Sequence, residues 1–258
     1  MELPKITVVT PSYNQALFLE ATIQSVLNQE YPNLEYIVID GGSTDESVEI
    51  ILRYTQYLTY WVSEPDNGQT DALIKGFARA TGDILCWLNS DDLFEPGTLK
   101  QVAEFFRENP QAQVVYGDST WIDAEGKKLR PKKEHAFNLF IFFYDHVYIP
   151  QPSTFFRRDI YEKVEGLNSE IDVAMDADLW IRFAKVTNIY HVRRQWSKMR
   201  FHKEAKTHPQ RLLKKARMQR QELRRKHYGD EPNWSPKVKK VLAKSMRISW
   251  KLVTGCYW

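Results

Sequence analysis

The sequence has only two cysteines, no long apolar run and no low-complexity stretch. Cys86 and Cys256 are too far apart for a metal knuckle or a disulfide framework, so free thiols are expected. No segment approaches the roughly 20 apolar residues that cross a bilayer. The N-terminus lacks the basic start, apolar segment and small-residue cleavage site of a secretory signal. These absences predict a cytoplasmic protein.

The charges are unevenly distributed along the 258 residues, although the net charge is only +3. Residues 193–258 carry 20 Lys and Arg against 4 Asp and Glu, whereas residues 1–192 carry 16 against 29. Two parts of opposite charge are expected to face different partners. The length fits one large α/β domain with an appendage.

Short apolar runs alternate with helical patterns along the first 117 residues. Strands are predicted at 5–9, 35–39, 60–62, 83–88 and 113–116, with helices at 17–28, 48–52, 69–80 and 96–106. This alternation predicts a mainly parallel central sheet flanked by helices, with right-handed crossovers.

The rhythm changes after Gly117. A hairpin is predicted over 120–129, and the aromatic-rich run 137–148 is interpreted as core or as a lid. Further elements are predicted as a strand at 153–156, a helix at 176–186 and a strand at 189–192.

Polar clusters follow the first four predicted strands. They are Thr10–Asn14, Asp40–Asp45, Glu64–Gly68 and Asn89–Asp92. In open parallel sheets, ligands bind beyond the carboxyl ends of the strands, so these clusters predict a binding site.

Together the clusters resemble the GT-A fold, family 2 inverting glycosyltransferases, and the likeness runs from about residue 5 to about residue 205. The resemblance implies a Rossmann-like α/β domain over 1–206, with a nucleotide-sugar-binding half (1–117) and an acceptor and catalytic half (118–206). It also implies sugar transfer from a nucleoside-diphosphate donor to an acceptor hydroxyl, in polysaccharide or glycolipid assembly. The acceptor is expected to be a glycan or lipid-linked.

The resemblance assigns Asp40 to the imide N–H of a uracil or thymine ring. A carboxylate that only accepts hydrogen bonds suits those bases, so a UDP- or dTDP-sugar is expected. The alternative is that Asp40 caps the following turn. The nucleoside walls are expected to be Pro11, Ser12, Tyr13 and Asn14, although ordinary packing is also open for Tyr13.

Further donor contacts are expected around Gly68, where a helix N-terminus offers free N–H groups to phosphate or sugar oxygens. The candidates are Asp66, Gln69, Asp71 and Lys75. A plain intrahelical ion pair is the alternative for Lys75, because it lies four residues after Asp71.

Asp91 and Asp92 resemble the family's acidic metal motif, which implies Mn²⁺ or Mg²⁺. Asp92 is expected to hold the metal and Asp91 to reach the ribose or a water. Asn89 departs from the family, because many relatives have a third aspartate there. His202, in a basic loop expected to close over the diphosphate, is either a metal ligand or a solvated histidine.

Asp176 falls on the position of the family's catalytic base, where it would take the proton of the acceptor hydroxyl. Met175 departs from the Glu-Asp pair of many relatives, and an N-cap role is the alternative for Asp176. Gln151 and Asp178 are expected on the acceptor side, with Asp178 also bracing the site. The missing acids favour a second reading, a catalytically silent nucleotide-sugar-binding or scaffold protein; Asp92 and Asp176 favour the enzyme.

The basic segment 207–258 extends beyond the resemblance. One helix is predicted over Leu212–Leu223, and a second after Pro236 with Lys240, Lys244, Arg247 and Lys251 on one side. Such a helix suits an anionic membrane, such as the inner face of the cell membrane. Packing on the domain and self-association are the alternatives. Nucleic acid is not expected, because no reading motif accompanies the charge.

Overall fold

The computed structural model describes residues 3–203, 218–219, 222–223, 225–226 and 235–256. The strands are β1 (Ile6–Ser12), β2 (Leu34–Asp40), β3 (Tyr60–Ser63), β4 (Ile84–Trp87), β5 (Leu93–Phe94), β6 (Val114–Ile122), β7 (Lys128–Lys132), β8 (Thr154–Arg157) and β9 (Ile189–Arg200). The helices are α1 (Ala16–Leu27), α2 (Ser47–Tyr54), α3 (Gln69–Phe77), α4 (Thr98–Glu108), α5 (Leu139–Tyr144), α6 (Arg158–Lys163), α7 (Met175–Val186) and, last of the described helices, α8 (Pro236–Val253). Most of the helix predicted over Leu212–Leu223 lies outside the described residues.

The described strands form a single mixed sheet in the order β3-β2-β1-β4-β8-β6-β9-β5, with β7 paired to β6. The pairs among β1 to β4 are parallel, as is β6 with β9, whereas β8 runs antiparallel to both β4 and β6. The predicted α/β fold with flanking helices is confirmed. Parallel pairing dominates its first half, where every residue of β1 is buried.

Apolar side chains fill both faces of the sheet. On one face, Trp87 of β4 stacks on Trp180 of α7, with ring centroids 5.6 Å apart. Gly76 lets α3 approach that face closely, because a Cβ there would lie 2.4 Å from Cγ1 of Val9. The aromatic run 137–148 supplies α5, whose Ile141 and Phe142 are buried in the same core.

Strand β9 is much longer than the predicted strand at 189–192. Nine of its twelve residues pair with β6, through register shifts next to Gly117, where a Cβ would lie 2.6 Å from the Trp196 ring. The mainly polar residues that follow Val192 form no apolar run, so the sequence pattern predicted that the strand ends at Val192. β5 and α6 were not predicted, because two and six residues carry too little periodicity.

Helix α8 packs on the domain through cationic side chains. Lys251 pairs with the buried Glu134 at 2.9 Å, and Arg247 pairs with Asp145. Arg247 and Lys251 share one side of α8 with Lys240 and Lys244, as the spacing predicted. Two of the four cations pair with acids of the domain, which the sequence did not reveal. No described helix is long and apolar enough to cross a bilayer.

Candidate active site

The carboxyl ends of the first strands lie side by side, as the sequence predicted. Ser12 at the end of β1 is in register with Asp40 at the end of β2, and Asp40 is in register with Ser63 at the end of β3. The Leu88 N–H continues the alignment after β4 by donating to the Val9 carbonyl at 3.0 Å. The four polar clusters are thereby brought to one edge of the sheet.

Asp40 is fully buried and organises the turn that follows it. Its carboxylate accepts hydrogen bonds from the Ser43 N–H at 2.8 Å, the Ser43 hydroxyl at 2.5 Å and the Ser63 hydroxyl at 2.7 Å. These bonds correspond to the capping alternative. Asp40 thus stabilises the loop that was expected to contact the nucleobase.

The segment after β1 is tied to the same turn. Asn14 adopts a left-handed backbone with φ of 51°, and its side-chain oxygen accepts the Thr44 N–H at 2.8 Å. Tyr13 projects outward with 59% of its surface exposed, so it has no core-packing role. Pro11 and Ser12 belong to β1, and the buried Ser12 hydroxyl has no hydrogen-bond partner among the described residues.

The loop before α3 brings carboxylates close to this edge. Burial, and then the charges of Asp71 and Asp40, raise the pKa of Asp66, which accepts the Gly68 N–H at 2.8 Å. Lys75 pairs with Glu64 at 2.9 Å and lies 3.7 Å from Asp71. The closer partner of Lys75 is therefore Glu64, not the intrahelical aspartate.

The two aspartates after β4 face opposite ways. Asp92 is buried: one oxygen accepts the Arg200 N–H at 2.9 Å and the other accepts the Asn89 amide at 3.2 Å. Burial, and then the neighbouring Asp91 charge, raise the pKa of Asp92 well above its usual range. Asp91 instead faces Nε2 of His202 at 3.0 Å. The more accessible carboxylate is Asp91, although the sequence reading gave Asp92 the metal.

His202 is held rather than solvated. Its side chain is 6% exposed, and its ring packs on Phe18 with centroids 4.6 Å apart. Arg200 turns inward too, because its guanidinium donates to the carbonyls of Asp91 and Ala124 at 2.9 and 2.7 Å. Arg200 therefore shapes the loop instead of offering its charge to a diphosphate.

Asn89 connects several of the predicted residues. Its oxygen accepts the Gln69 amide at 2.6 Å, and its nitrogen donates to Asp92 at 3.2 Å and to Gln151 at 3.1 Å. Gln151 in turn donates to the Trp87 carbonyl at 2.8 Å. Only an amide can donate and accept in this way, which gives the departure from the family motif a physical reason.

The beginning of α7 lies against the beginning of α3. The Thr70 hydroxyl donates to the Ile171 carbonyl at 2.8 Å and lies 2.9 Å from the Met175 sulfur, and a Cβ on Gly68 would lie 3.8 Å from the Asp172 carboxylate. Asp176 stands in the first turn of α7. The sequence reading missed Thr70; no local pattern marks it, because its partners are about a hundred positions away.

Asp178 has a bracing role. It is 1% exposed and pairs with Arg182 at 2.7 Å, while Arg182 also donates to the carbonyls of Val164 and Gly166 at 2.5 and 2.6 Å. The expectation that Asp178 contacts the acceptor is therefore corrected: this carboxylate faces the protein interior. Asp176, two residues earlier on α7, is half-buried.

The described residues contain no group of three or more His, Cys, Asp or Glu side chains arranged to hold a metal ion. Asp91 and His202 supply one oxygen and one nitrogen side by side. Such a pair fits ions that take one or two protein ligands and complete their shell with phosphate oxygens and water. The imidazole suits Mn²⁺ better than Mg²⁺.

Comparison with known sequences identifies the family of the chain. Residues 7–165 match the family model "Glycosyl transferase family 2". An uncharacterized glycosyltransferase of Mycobacterium tuberculosis is 32% identical over 185 residues, which cover 71% of this chain and 70% of the relative. Another, from Rickettsia typhi, is 26% identical over 206 residues, which cover 77% of this chain and 64% of the relative.

Solved structures share the fold. The 1–349 fragment of S. aureus TarS in complex with UDP-GlcNAc superposes with a TM-score of 0.65 at 19% identity, over 78% of this chain and 60% of that fragment. In the longer TarS structure the match covers 37% of the TarS chain. A mannosyltransferase from Pyrobaculum calidifontis in complex with GDP-Man and Mn²⁺ also gives 0.65 at 19% identity, over 95% of this chain and 70% of the other. From the family match and the shared GT-A fold together, the chain belongs to glycosyltransferase family 2 and is a glycosyltransferase.

Proposed function

We propose that this glycosyltransferase moves a sugar from a UDP- or dTDP-sugar to an acceptor hydroxyl with inversion at the anomeric carbon. The observation that carries the proposal is the contact between the starts of α3 and α7 through Thr70, Ile171 and Met175. It brings the loop of Gly68 and Gln69, proposed to hold the donor, against the turn that carries Asp176. A donor and a base then share one edge of the sheet.

Asp176 is the proposed catalytic base. Its carboxylate takes the proton of the acceptor hydroxyl while that oxygen bonds to the anomeric carbon. The bond from this carbon to the diphosphate oxygen breaks on the opposite face, and the nucleoside diphosphate leaves with the electron pair. A single displacement of this kind inverts the configuration.

The other residues position the donor. The turn held by Asp40, with Tyr13 and Asn14 beside it, faces the nucleoside, and the Asp40 carboxylate keeps acceptor capacity for a base N–H. Asp66, Gln69, Asp71 and Lys75 contact the ribose or sugar, and Gln151 faces the acceptor. Asp91 and His202 would hold the divalent ion, which when bound would neutralise the charge that develops on the diphosphate.

Calorimetric titration of UDP, dTDP, GDP and CDP, with Mn²⁺ and then with EDTA, tests the donor side. Metal-dependent binding of UDP or dTDP, with at least tenfold weaker CDP binding, is the expected result, because an ionised carboxylate accepts the imide proton that cytosine lacks. A preference for GDP, the nucleotide of the archaeal mannosyltransferase, would refute the base assignment. Absence of all binding would favour a scaffold protein over an enzyme.

The inverting step has its own test. The anomeric configuration of the product, measured by NMR from a donor of known configuration, is expected to be opposite to that of the donor. Retention would refute the single displacement and the base role of Asp176 together.

A further inference from the structure

Helix α8 has a mainly apolar face that the described residues leave exposed. Six of its apolar residues are between 38% and 87% exposed: Val238, Val241, Leu242, Met246, Leu252 and Val253. At 3.6 residues per turn they fall within about 140° of the helix circumference. Ser245 and Ser249 also lie in this sector, and the whole helix contains no acidic residue.

The opposite face of α8 is already occupied. Ala243 is fully buried, Trp250 stacks on His135 at 5.4 Å, and Lys239 lies 5.3 Å above the Tyr144 ring. Arg247 and Lys251 add ion pairs to the domain. Because these contacts fix the rotation of α8, its apolar face cannot turn towards the described part of the domain without breaking them.

Three lysines border the apolar face. Lys237, Lys240 and Lys244 are exposed and fall on one edge, between the docked side and the apolar side. A strip of lysines beside an exposed apolar sector is the pattern of helices that lie in the plane of an anionic bilayer. A second copy of α8 would instead bring like charges together along this edge.

We propose that α8 docks on an anionic membrane surface, with its apolar face among the acyl chains near the headgroups and Lys237, Lys240 and Lys244 on the lipid phosphates. The docked face of α8 stays packed on the domain while the apolar face enters the membrane. The proposal is independent of sugar transfer, because none of these residues belongs to the proposed active site.

Flotation of the full chain with vesicles tests the proposal. The probes are phosphatidylcholine vesicles with and without about 30% phosphatidylglycerol, and at least tenfold tighter binding to the anionic ones is expected. The double variant V241S/L252S is expected to bind about tenfold or more weakly, because two apolar side chains no longer enter the lipid. The variant K240Q/K244Q is expected to lose about fivefold per lysine at low salt.

Matched controls make these losses specific. L52S/L129S removes two leucines that are 54% and 52% exposed elsewhere, and K100Q/K163Q makes the same charge change on α4 and α6. Neither control is expected to change vesicle binding, and all variants should keep the melting temperature of the original chain. Equal binding to neutral and anionic vesicles, or an unchanged V241S/L252S, would overturn the proposal. The proposal would also be overturned if sedimentation showed a dimer that V241S/L252S abolishes, and if the original chain did not bind vesicles.

Discussion

The two halves of the sheet hold their proposed site residues in different ways. In the first half, β1 to β4, the polar clusters lie at or directly after the ends of parallel strands, and Asp40 finds its partners Gly42, Ser43 and Ser63 within that half. In the second half the links are long: the Arg200 N–H reaches Asp92 across 108 positions, and Thr70 reaches Ile171 across 101. The first half is a locally built platform, and the second is positioned by tertiary contacts.

This difference separates donor binding from chemistry. Residues proposed to bind the nucleotide lie mainly in the platform, whereas Asp176 and His202 arrive on segments that must be docked against it. Damage at Asp176 should therefore reduce catalysis while the platform still binds nucleotide, whereas damage at His202 should also weaken metal-dependent nucleotide binding.

The largest effect is expected from D176N. Transfer should fall about 10²- to 10⁴-fold because no group accepts the hydroxyl proton, while the UDP dissociation constant stays within about twofold. Single-turnover rates and calorimetry give the two values. D159N is a matched control, since Asp159 accepts the next residue's N–H at 2.7 Å at the start of α6, as Asp176 does at the start of α7. Equal losses in both variants would reduce Asp176 to a helix cap.

The next effect distinguishes the two neighbouring aspartates. D91N should weaken Mn²⁺-dependent UDP binding about 10- to 100-fold with little change in stability, because Asp91 faces His202 near the surface of the site. D92N should instead lower the free energy of unfolding by about 1–3 kcal/mol, because an amide nitrogen then meets the buried N–H donors of Arg200 or Asn89. Calorimetric titration and urea unfolding measure the two quantities. The reverse pattern would indicate that Asp92, and not Asp91, holds the metal.

A smaller loss is expected where the halves meet. N89A removes the bonds to Gln69, Asp92 and Gln151 and should cost about 1–3 kcal/mol of unfolding free energy. N89D, which restores the acid of many relatives, keeps the shape but loses both N–H donors and adds a charge beside Asp91 and Asp92. It should therefore also be destabilised. Urea unfolding of both variants tests this, and an N89D protein as stable as the original would show that the amide is not needed.

The smallest effect is expected at the amino edge of the sheet, away from the site. Burial opposes ionisation of Glu35, but bonds from Thr7 and Thr81 outweigh it and lower the pKa of Glu35 from 4.5 to about 2. Its stabilisation is therefore present above pH 4.5 and is lost as the pH falls towards 2. E35Q should lower the melting temperature by roughly 2–4 °C at pH 7 and by less at pH 3. The exposed E108Q should show neither change.

The sequence could predict the platform because its signals are local. Apolar runs marked β1 to β4, and the polar clusters after them marked the site edge. The orientation of Asp92 could not be read in this way, since it depends on Arg200 at the end of a strand whose second half has no apolar pattern. The burial of Arg247 and Lys251 was equally hidden, because their partners Asp145 and Glu134 lie more than a hundred positions earlier.

The docking of α8 also changes what the charge count along the chain means. Arg247 and Lys251 form ion pairs with Asp145 and Glu134, so each pair adds little to the electrostatic potential outside the protein. A partner approaching α8 meets the field of Lys237, Lys240 and Lys244, concentrated along one edge. The positive charges of α8 thus have two roles that depend on the direction in which they point. Arg247 and Lys251 attach the helix to the domain, and the three exposed lysines set the orientation in which the protein would meet an anionic surface.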